Sequence, residues 1–480
     1  MTKYLSILTC EQEILMGEEA VAKPGEKGEA VPKDVFGDSA LTVLPKTELR
    51  STLNVFFVYM GVLAVMAAFW AGSALATMYN VTTMLWVTLA GNLILGVFGF
   101  FIATIGGYTR VTTYMITRQC FGKAGSVIAN LMVSALPLVI WFAVETWFFG
   151  LVASTIYPDA WWASIAVASL WGGILMTLVS YFGYKAISAI SYITVPIWFV
   201  LAAVIFAVVV DQSGGLPALL AAAPASFAPI SAGITFTVGL YAAGCVTSSD
   251  VGRYGEKPWS AGVAWAVQVV VFMTMILMIA GSLTLLTGNA NVAGAMASIG
   301  MGLGALFFAL FAQISTNDVN LWGSYLSWVS IVGRGNRGRW TLIIGAVGTI
   351  LAYLWATAAG GSLNMFIYFG GLLGNFIPPV GAVMIADFWV FRPYFLGLKD
   401  RTKRYGYGTG TKYSMVNVPA LLAMFVGGLA AYYTSQVNFF VPVLNGIFVA
   451  FVIYLGLVVL LRKAGVSYEW GTWTEKETGF

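Results

Sequence analysis

Two acidic side chains lie deep inside apolar stretches of the sequence, and one of them, Glu145, stands near an aromatic residue. It lies in LPLVIWFAVETWFFG (residues 136–150), four residues after Trp141, so a helix places the indole and the carboxylate on one face. An aromatic plane beside a carboxylate suits a flat heterocycle that stacks on the ring and directs N–H donors to the oxygens. It suits a cation equally well. The alternative is that Glu145 is protonated or pairs with another helix.

The second acidic residue, Asp318, belongs to a polar run in FAQISTNDVNLWGSYLS (residues 311–327). Five polar side chains fall within six positions of this stretch: Ser315, Thr316, Asn317, Asp318 and Asn320. Lipid cannot satisfy so many donors and acceptors, so we expect some of them to face a polar cavity. Hydroxyls and helix-end carbonyls are suitable ligands for a small alkali cation, and the amide of Asn317 can both donate to and accept from a ring edge. Polar contacts between helices are the alternative.

The residues that usually carry enzyme chemistry are missing. The sequence has no histidine and only three cysteines, Cys10, Cys120 and Cys245, with no paired spacing. The absence of histidine argues against membrane metalloproteases, haem carriers and histidine proton relays. The cysteine spacing argues against a disulfide framework or a zinc site. We therefore predict a protein that is not an enzyme and needs no cofactor.

Apolar stretches that are long enough to cross a membrane occupy most of the chain. Hydrophobic residues make up 59% of it and charged residues 9%, and about 20 apolar residues cross the hydrocarbon core as a helix. We predict an all-α membrane protein with twelve transmembrane helices. The predicted spans are residues 53–75, 85–105, 127–151, 162–182, 188–210, 232–247, 261–286, 302–331, 341–359, 365–388, 417–433 and 439–461.

All 24 Lys and Arg residues lie in the N-terminal tail, in every second loop between these spans, or in the C-terminal tail. The loops in between contain neither residue. Positive charge collects on the cytoplasmic side during insertion, so both termini are predicted to be cytoplasmic, in a bacterial-type inner or plasma membrane. Residues 1–50 are polar and are predicted to form a disordered cytoplasmic tail. Residues 51–463 form the predicted membrane domain, and residues 464–480 a cytoplasmic C-terminal tail. The net charge of +4 follows from this topology and indicates no nucleic-acid partner.

Two spans are interrupted at corresponding positions. The first contains AFWAGSALATM (residues 68–78), with Gly72 and Ser73 in mid-membrane, and the sixth contains GLYAAGCVTSSD (residues 239–250), with Gly244 and several hydroxyls. Broken helices at matching positions of two halves indicate an inverted-repeat transporter with its site at the midplane. The alternative is that the small residues only let helices approach closely. Three aromatic residues are candidates for lining one shared pocket: Trp70, Trp141 and Tyr241.

Six strings of the sequence resemble the nucleobase:cation symporter-1 family, which includes cytosine permeases and a bacterial hydantoin transporter. They are FWAGSALA (69–76), RQCFGKAGS (118–126), WFAVETW (141–147), TSSDVGRYG (247–255), STND (315–318) and IPPVGAVMIADFWV (377–390). The resemblance implies a leucine-transporter-like fold, with a five-plus-five inverted repeat followed by two C-terminal helices. It also implies a planar ring held between helices one, three, six and eight.

The resemblance also implies roles for individual residues. Trp141 resembles the stacking residue of helix three, Tyr241 an aromatic residue that faces the ligand on helix six, and Asn317 an amide that hydrogen-bonds the base. A sodium site would use backbone oxygens and two hydroxyls, those of Gly61, Val65, Ala312, Ser315 and Thr316.

Three positions depart from the family pattern. Leu138 and Ala243 stand where cytosine permeases carry a glutamine and a serine, and Glu145 stands where the hydantoin transporter has a glutamine. The loss of two polar contacts and the gain of a carboxylate favour a ring with adjacent N–H donors, such as guanine, or a cationic heterocycle, over cytosine. The predicted substrate-binding residues are Trp141, Glu145, Tyr241, Ala243, Asn317 and Trp70.

The functional hypothesis is cation-coupled import of a nucleobase or a related planar heterocycle (cytosine, purine, hydantoin- or allantoin-like) by alternating access. The alternatives are a passive channel or facilitator for small polar solutes, and an importer of a cationic heterocycle such as a vitamin-like pyrimidine. The sequence leaves open whether the coupling ion is sodium or a proton, and whether Glu145 binds substrate or a proton.

Overall fold

The computed structural model describes residues 39–63, 65–181, 184–224, 227–333, 335–358, 363–407 and 413–466. This part of the chain is helical, and its one β-bridge joins Arg50 to Gly255. Most of the two predicted tails, residues 1–38 and 467–480, lies outside the described residues.

A helix lies at the position of each predicted span. The twelve are α1 (Thr52–Leu63 and Met66–Ala76), α2 (Val81–Thr109), α3 (Gly125–Ile156), α4 (Ile165–Ser180), α5 (Tyr184–Gln212), α6 (Ile230–Val246), α7 (Pro258–Thr287), α8 (Gly302–Val332), α9 (Arg337–Ala358), α10 (Leu363–Phe376, Pro378–Ile385 and Ala386–Phe395), α11 (Val418–Gln436) and α12 (Pro442–Lys463).

Nine helices of the described chain are long and apolar enough to cross a membrane, or ten when the bent halves of α1 count as one span. Among the others, α4 has only 16 residues, and the polar run at residues 315–320 interrupts the apolar sequence of α8. Twelve crossings are compatible with these helices, and the count stays a prediction.

The break in α1 lies earlier than the sequence pattern indicated. Its two halves meet at an angle of 57° between Leu63 and Met66, where Val65 has an extended backbone (φ −136°, ψ 140°). Gly72 and Ser73, where we expected the break, lie inside the second half. A Cβ on Gly72 would be only 2.4 Å from the backbone oxygen of Leu277 in α7. The glycine therefore serves close helix packing, which was the alternative explanation.

The break in α6 falls within the predicted stretch. Tyr241 has non-helical dihedral angles (φ −124°, ψ 15°), and the helix ends at Val246 before a short helix, Ser249–Gly252. The first helix of each predicted half is thus broken: α1 in the first half and α6 in the second.

The last twelve residues of the predicted N-terminal tail, 39–50, are folded against the domain. Leu44 is fully buried, and its N–H donates to the backbone oxygen of Arg110 at 2.8 Å. The N–H of Arg50 donates to the backbone oxygen of Tyr254 at 2.6 Å. This segment therefore joins the loop after α2 to the loop after α6, which corrects the prediction of disorder up to residue 50.

A fully buried ion pair ties α10 to its neighbours. Nε of Arg392 donates to Oδ2 of Asp387 at 2.7 Å, and both side chains have no exposed surface. The other carboxylate oxygen accepts from Tyr454 of α12 at 2.6 Å. Cys120, in the short helix Thr113–Phe121 between α2 and α3, lies 3.2 Å from the hydroxyl of Tyr405. Burial raises the pKa of the Cys120 thiol well above its ordinary value, so the thiol joins this cluster as a neutral group.

Replacing Asp387 with asparagine should destabilise the protein by about 3–5 kcal/mol, because Arg392 would keep a buried charge without its partner. Thermal unfolding of the purified protein in detergent measures this loss. The matched control is Glu48→Gln, which breaks the exposed Glu48–Arg50 pair and should cost less than about 1 kcal/mol. Equal unfolding temperatures for the two variants would contradict the role of the buried pair.

Candidate functional site

A cavity lies where the breaks of α1 and α6 face α3, α7 and α8. Together with its opening to solvent, it encloses about 850 Å³ of space that no atom fills. Six of the eleven residues predicted to bind substrate or cation line it: Val65, Trp141, Glu145, Tyr241, Ala243 and Thr316. The fold therefore brings most of the predicted site together.

Aromatic rings form two parts of the cavity wall. Trp141 of α3 packs edge-on against Phe366 and Phe369 of α10, with ring centroids 6.1 and 5.6 Å away. Tyr241, at the break of α6, stacks on Trp265 of α7 with centroids 5.0 Å apart and planes 26° from parallel. Each ring is held in place by a neighbouring helix, so both offer fixed flat surfaces to a planar ligand.

Glu145 lines the cavity as a deeply buried carboxylate, with only 1% of its surface exposed. The side-chain amide of Gln313 and the backbone N–H of Ala67, at the start of the second half of α1, lie near its carboxyl group. Its own backbone oxygen accepts from the amide of Gln313 in α8 at 2.7 Å. No group of the described chain donates to its Oε2 atom. The site thus contains a hydrogen-bond acceptor that the protein itself leaves unused.

The two asparagines of α8 have different surroundings. The amide nitrogen of Asn317 lies 3.4 Å from the backbone oxygen of Phe142 and 3.3 Å from the hydroxyl of Thr146, both in α3. Asn317 is fully buried and is not among the residues that line the cavity. Asn320 does line the cavity, and its amide donates to Oδ1 of Asn317 at 3.2 Å. In this conformation the side chain of Asn320 lines the cavity, and the side chain of Asn317 lies behind it and accepts its hydrogen bond.

Asp318 faces away from the cavity, toward α4. The hydroxyl of Ser180 donates to its Oδ1 atom at 2.5 Å, and the backbone oxygen of Ser180 accepts from Arg337 at 2.9 Å. This acidic residue therefore joins α8 to α4 and to the start of α9, as the alternative of polar contacts between helices predicts.

Two of the predicted cation ligands, Ser315 of α8 and Gly61 of α1, are in direct contact beside the break of α1. The hydroxyl of Ser315 donates to the backbone oxygen of Gly61 at 2.9 Å, and that of Thr316 lies 3.3 Å from the backbone oxygen of Val62. Carbonyls at the end of a half-helix lack their next-turn partner, so they are free to accept. Val65 sits at the break itself, and Ala312 is buried one turn before the two hydroxyls.

Trp70 lies outside the cavity lining. Its ring stacks on Phe148 of α3, with centroids 5.0 Å apart and planes 11° from parallel. Phe148 in turn packs edge-on against Phe366 of α10 at 5.4 Å. These contacts give Trp70 a packing role between α1, α3 and α10 in this conformation.

Hydrogen bonds tie the segment after α6 to α1 and to the short helix Thr113–Phe121. Asp250 lines the cavity, and its Oδ1 atom accepts from the backbone N–H of Thr113, the first residue of the short helix between α2 and α3, at 2.7 Å. The hydroxyl of Tyr59 in α1 donates to the backbone oxygen of Ser248 at 2.6 Å. Asp250 was not among the residues predicted from the sequence to belong to the site.

Sequence reasoning also missed Trp265 and Gln313. Trp265 lies in α7, which has neither a break nor a polar run, so nothing in the sequence distinguishes it from the other tryptophans. Gln313 precedes the polar run of α8 by two residues, and this position was the signal that could have found it.

A helical bundle whose first and sixth helices break beside a shared cavity is the architecture of a secondary transporter. Residues 43–457 match the profile of the family described as "Permease for cytosine/purines, uracil, thiamine, allantoin". The chain belongs to this family of membrane permeases.

Individual relatives agree with this assignment. The cytosine permease of Escherichia coli strain K12 is 29% identical over 425 residues, which cover 88% of the chain and 94% of that permease. The cytosine permease of Escherichia coli O157:H7 gives the same values.

Solved structures show the same fold. Mhp1, a nucleobase-cation-symport-1 family transporter in a closed conformation with bromovinylhydantoin bound, has a TM-score of 0.75 at 19% identity. The match covers 92% of the chain and 98% of Mhp1. A Na⁺-coupled sialic acid symporter in a substrate-bound outward-open state has a TM-score of 0.60 at 13% identity, covering 89% of the chain and 92% of that protein. The predicted family and fold class are confirmed, while the roles of individual site residues stay predictions.

We expect Asn320→Ala to weaken binding of the transported ring by about tenfold, because it removes an amide from the cavity wall. Asn317→Ala should mainly lower the unfolding temperature, because it detaches α8 from α3. Ligand-dependent thermal shifts of the purified variants measure both effects. Unchanged affinity in Asn320→Ala together with lost affinity in a stable Asn317→Ala protein would assign the contact to Asn317 instead.

Proposed function

We propose that the chain imports a nucleobase or a related planar heterocycle by coupling its uptake to the inward movement of a cation. The observation that carries this proposal is the cavity itself. It joins the break of α1 to the ring surfaces of Trp141 and Tyr241. Cytosine permeases and a nucleobase-cation symporter among the similar proteins support the same class of substrate.

In this proposal the ring lies against Trp141 and the Tyr241–Trp265 pair. Flat aromatic surfaces favour a planar ligand over a sugar or an aliphatic amino acid, because they gain contact area without ordering flexible groups. Polar groups on α3 and α8, Glu145 and Asn320, would then fix the orientation of the ring through its hydrogen-bonding edge.

We propose Na⁺ as the coupling ion, held by the backbone oxygens of Gly61, Val65 and Ala312 with the hydroxyls of Ser315 and Thr316. The support is the chemistry of this donor set, which consists of uncharged oxygens at the open end of a half-helix. The sialic acid symporter, which shares the fold, is Na⁺-coupled. A proton remains the competing ion, and Glu145 would be its binding group.

Coupling follows from the position of the two sites on the same broken helix. A cation at Ser315 and Thr316 would fix the first half of α1 against α8, while the ring would contact the cavity beside the break. Each ligand then stabilises the arrangement that the other one needs, which is the condition for energetic coupling.

For the topology, we propose that residues 51–463 form the transport domain of a protein in the inner or plasma membrane. Residues 1–50 and 464–480 would lie on the cytoplasmic side. The alternation of basic loops supports this orientation. The uncharged loops would then face the side from which substrate is taken up.

Purified protein in liposomes with an inward sodium gradient should accumulate a radiolabelled base above its external concentration. The panel should include cytosine, uracil, purines, hydantoin, allantoin and thiamine, each with and without sodium. Uptake that only equilibrates would identify a passive facilitator. Accumulation that follows a pH gradient and ignores sodium would assign the coupling to protons.

Ser315→Ala should raise the sodium concentration for half-maximal uptake about tenfold or more, because one oxygen ligand is lost. The measurement is initial uptake rate against sodium concentration in liposomes. Ser327→Ala is the matched control, since this buried serine of α8 bonds the backbone oxygen of Asn130, outside the proposed cation site. Identical sodium curves for both variants would remove Ser315 from the cation site.

A further inference from the structure

A basic segment with no acidic partner follows α10. Residues 399–404 read KDRTKR, four basic side chains and one acidic one. The acidic residue, Asp400, accepts hydrogen bonds from the backbone N–H and the hydroxyl of Thr402 at 3.0 and 2.8 Å. Within the described residues, none of the ion pairs found involves this segment. Its positive charge is therefore left without a partner in that part of the chain.

Two arginines of this segment share one aromatic ring of α10. The guanidinium carbon of Arg401 lies 5.4 Å from the ring centroid of Trp389, and that of Arg404 lies 5.7 Å from it. Arg404 is buried, and its N–H groups donate to three backbone oxygens. Burial and the neighbouring charge of Arg401 both lower the pKa of Arg404. The fold thus holds two like charges together, an arrangement that a bound anion would stabilise.

The guanidinium of Arg401 is held in place, but most of its donors are unused. Its Nη1 atom donates to the hydroxyl of Tyr108 in α2 at 2.7 Å, and its carbon lies 5.3 Å from the centroid of that ring. The side chain is otherwise exposed. Arginine carries five N–H donors in a planar fork, which matches the oxygens of a phosphate group. Arg401 can therefore bind a phosphate without giving up its contact with Tyr108.

An exposed apolar face of α2 leads to this arginine. Leu93, Val97 and Phe101 are exposed and spaced by four residues, so they lie on one face of the helix. At Phe101 this face meets α10: Nε1 of Trp389 donates to the backbone oxygen of Phe101 at 3.3 Å, and the two ring centroids are 5.7 Å apart. Tryptophan and tyrosine prefer the membrane–water interface. The rings of Trp389 and Tyr108 therefore favour a position for Arg401 at the depth of the lipid headgroups.

We propose that this surface binds an anionic phospholipid of the leaflet that the basic loops face. The phosphate lies on Arg401 above the rings of Trp389 and Tyr108, and an acyl chain follows the exposed face of α2. A soluble anion would use only the arginine, whereas a phospholipid uses the charge and the adjoining apolar face together. Basic pockets at the ends of transmembrane helices recognise such headgroups in this way. The inference does not depend on which molecule the cavity carries.

Native mass spectrometry of the delipidated protein in a neutral detergent measures the affinity for added lipids. Phosphatidylglycerol and phosphatidylcholine with the same acyl chains form the matched pair, because only the first has a net negative charge. We expect phosphatidylglycerol to bind about tenfold more tightly than phosphatidylcholine. Arg401→Gln should remove most of this difference. Arg401→Lys keeps the charge without the planar fork, so it should retain part of the difference.

Arg339→Gln is the matched control, because it removes an exposed arginine at the start of α9, where no such site is proposed. It should leave the preference for phosphatidylglycerol unchanged. Unfolding temperatures measured without added lipid check that each variant is folded, and Lys403→Gln, expected to weaken phosphatidylglycerol binding less than Arg401→Gln, provides a second exposed position.

Three results would overturn the inference. The first is the same affinity for phosphatidylglycerol in Arg401→Gln and Arg339→Gln. The second is an equal loss of affinity for both lipids in Arg401→Gln, because the residue would then support the acyl chain without recognising the charge. The third is displacement of phosphatidylglycerol by glycerol 3-phosphate at concentrations where added phosphatidylglycerol itself competes, because the site would then hold a soluble anion.

Discussion

The rest of the site depends on the break in α1, because the backbone groups exposed there need hydrogen-bond partners. A helix interrupted inside a bilayer exposes backbone N–H groups on one side and carbonyls on the other, and lipid can satisfy neither. The fold answers with side chains from two other helices. Ser315 and Thr316 of α8 reach the carbonyls of Gly61 and Val62, and Glu145 of α3 lies near the N–H of Ala67. The polar residues of the site are therefore also the residues that make the break possible.

Close contacts join α10 to α12 and to α6. The buried Asp387–Arg392 pair and the hydroxyl of Tyr454 join α10 to α12. Glycine allows backbone contact elsewhere: a Cβ on Gly239 of α6 would be 1.8 Å from the backbone oxygen of Gly370 in α10. Such contacts fix α6 against α10 on one side of its break, so the cavity forms where the helices are least regular.

Much of this organisation could be predicted from the sequence. Long apolar stretches located the helices, and the spacing of Trp141 and Glu145 placed both on the face of α3 that meets the cavity. In the polar run of α8, Thr316 and Asn320 line the cavity, as expected, whereas Asp318 contacts α4, which was the alternative. These predictions succeed because helix periodicity and the cost of polar groups in lipid are local properties of the sequence.

The predictions that failed depend on contacts between parts of the chain that are far apart in the sequence. The break of α1 occurs at Val65, where no glycine or proline marks it, because its partners lie on α3 and α8. Asn317 and Asn320 are three residues apart and share one side of α8, so only the rotation of the packed helix decides which of them reaches the cavity. The stacking of Trp70 on Phe148 likewise depends on how two distant helices meet.

The bonds between the α8 hydroxyls and the α1 carbonyls have a consequence for the transport cycle. A carrier that moves an ion inward must afterwards return without it, and an ion-free site with bare carbonyls would make that step costly in a low-dielectric interior. At the proposed cation site the Ser315 hydroxyl donates a hydrogen bond to the backbone oxygen of Gly61 at 2.9 Å. Rotation about one C–O bond exchanges this hydrogen for a lone pair directed at an ion. The same serine can thus satisfy the loaded and the empty carrier, which lowers the barrier to resetting between turnovers.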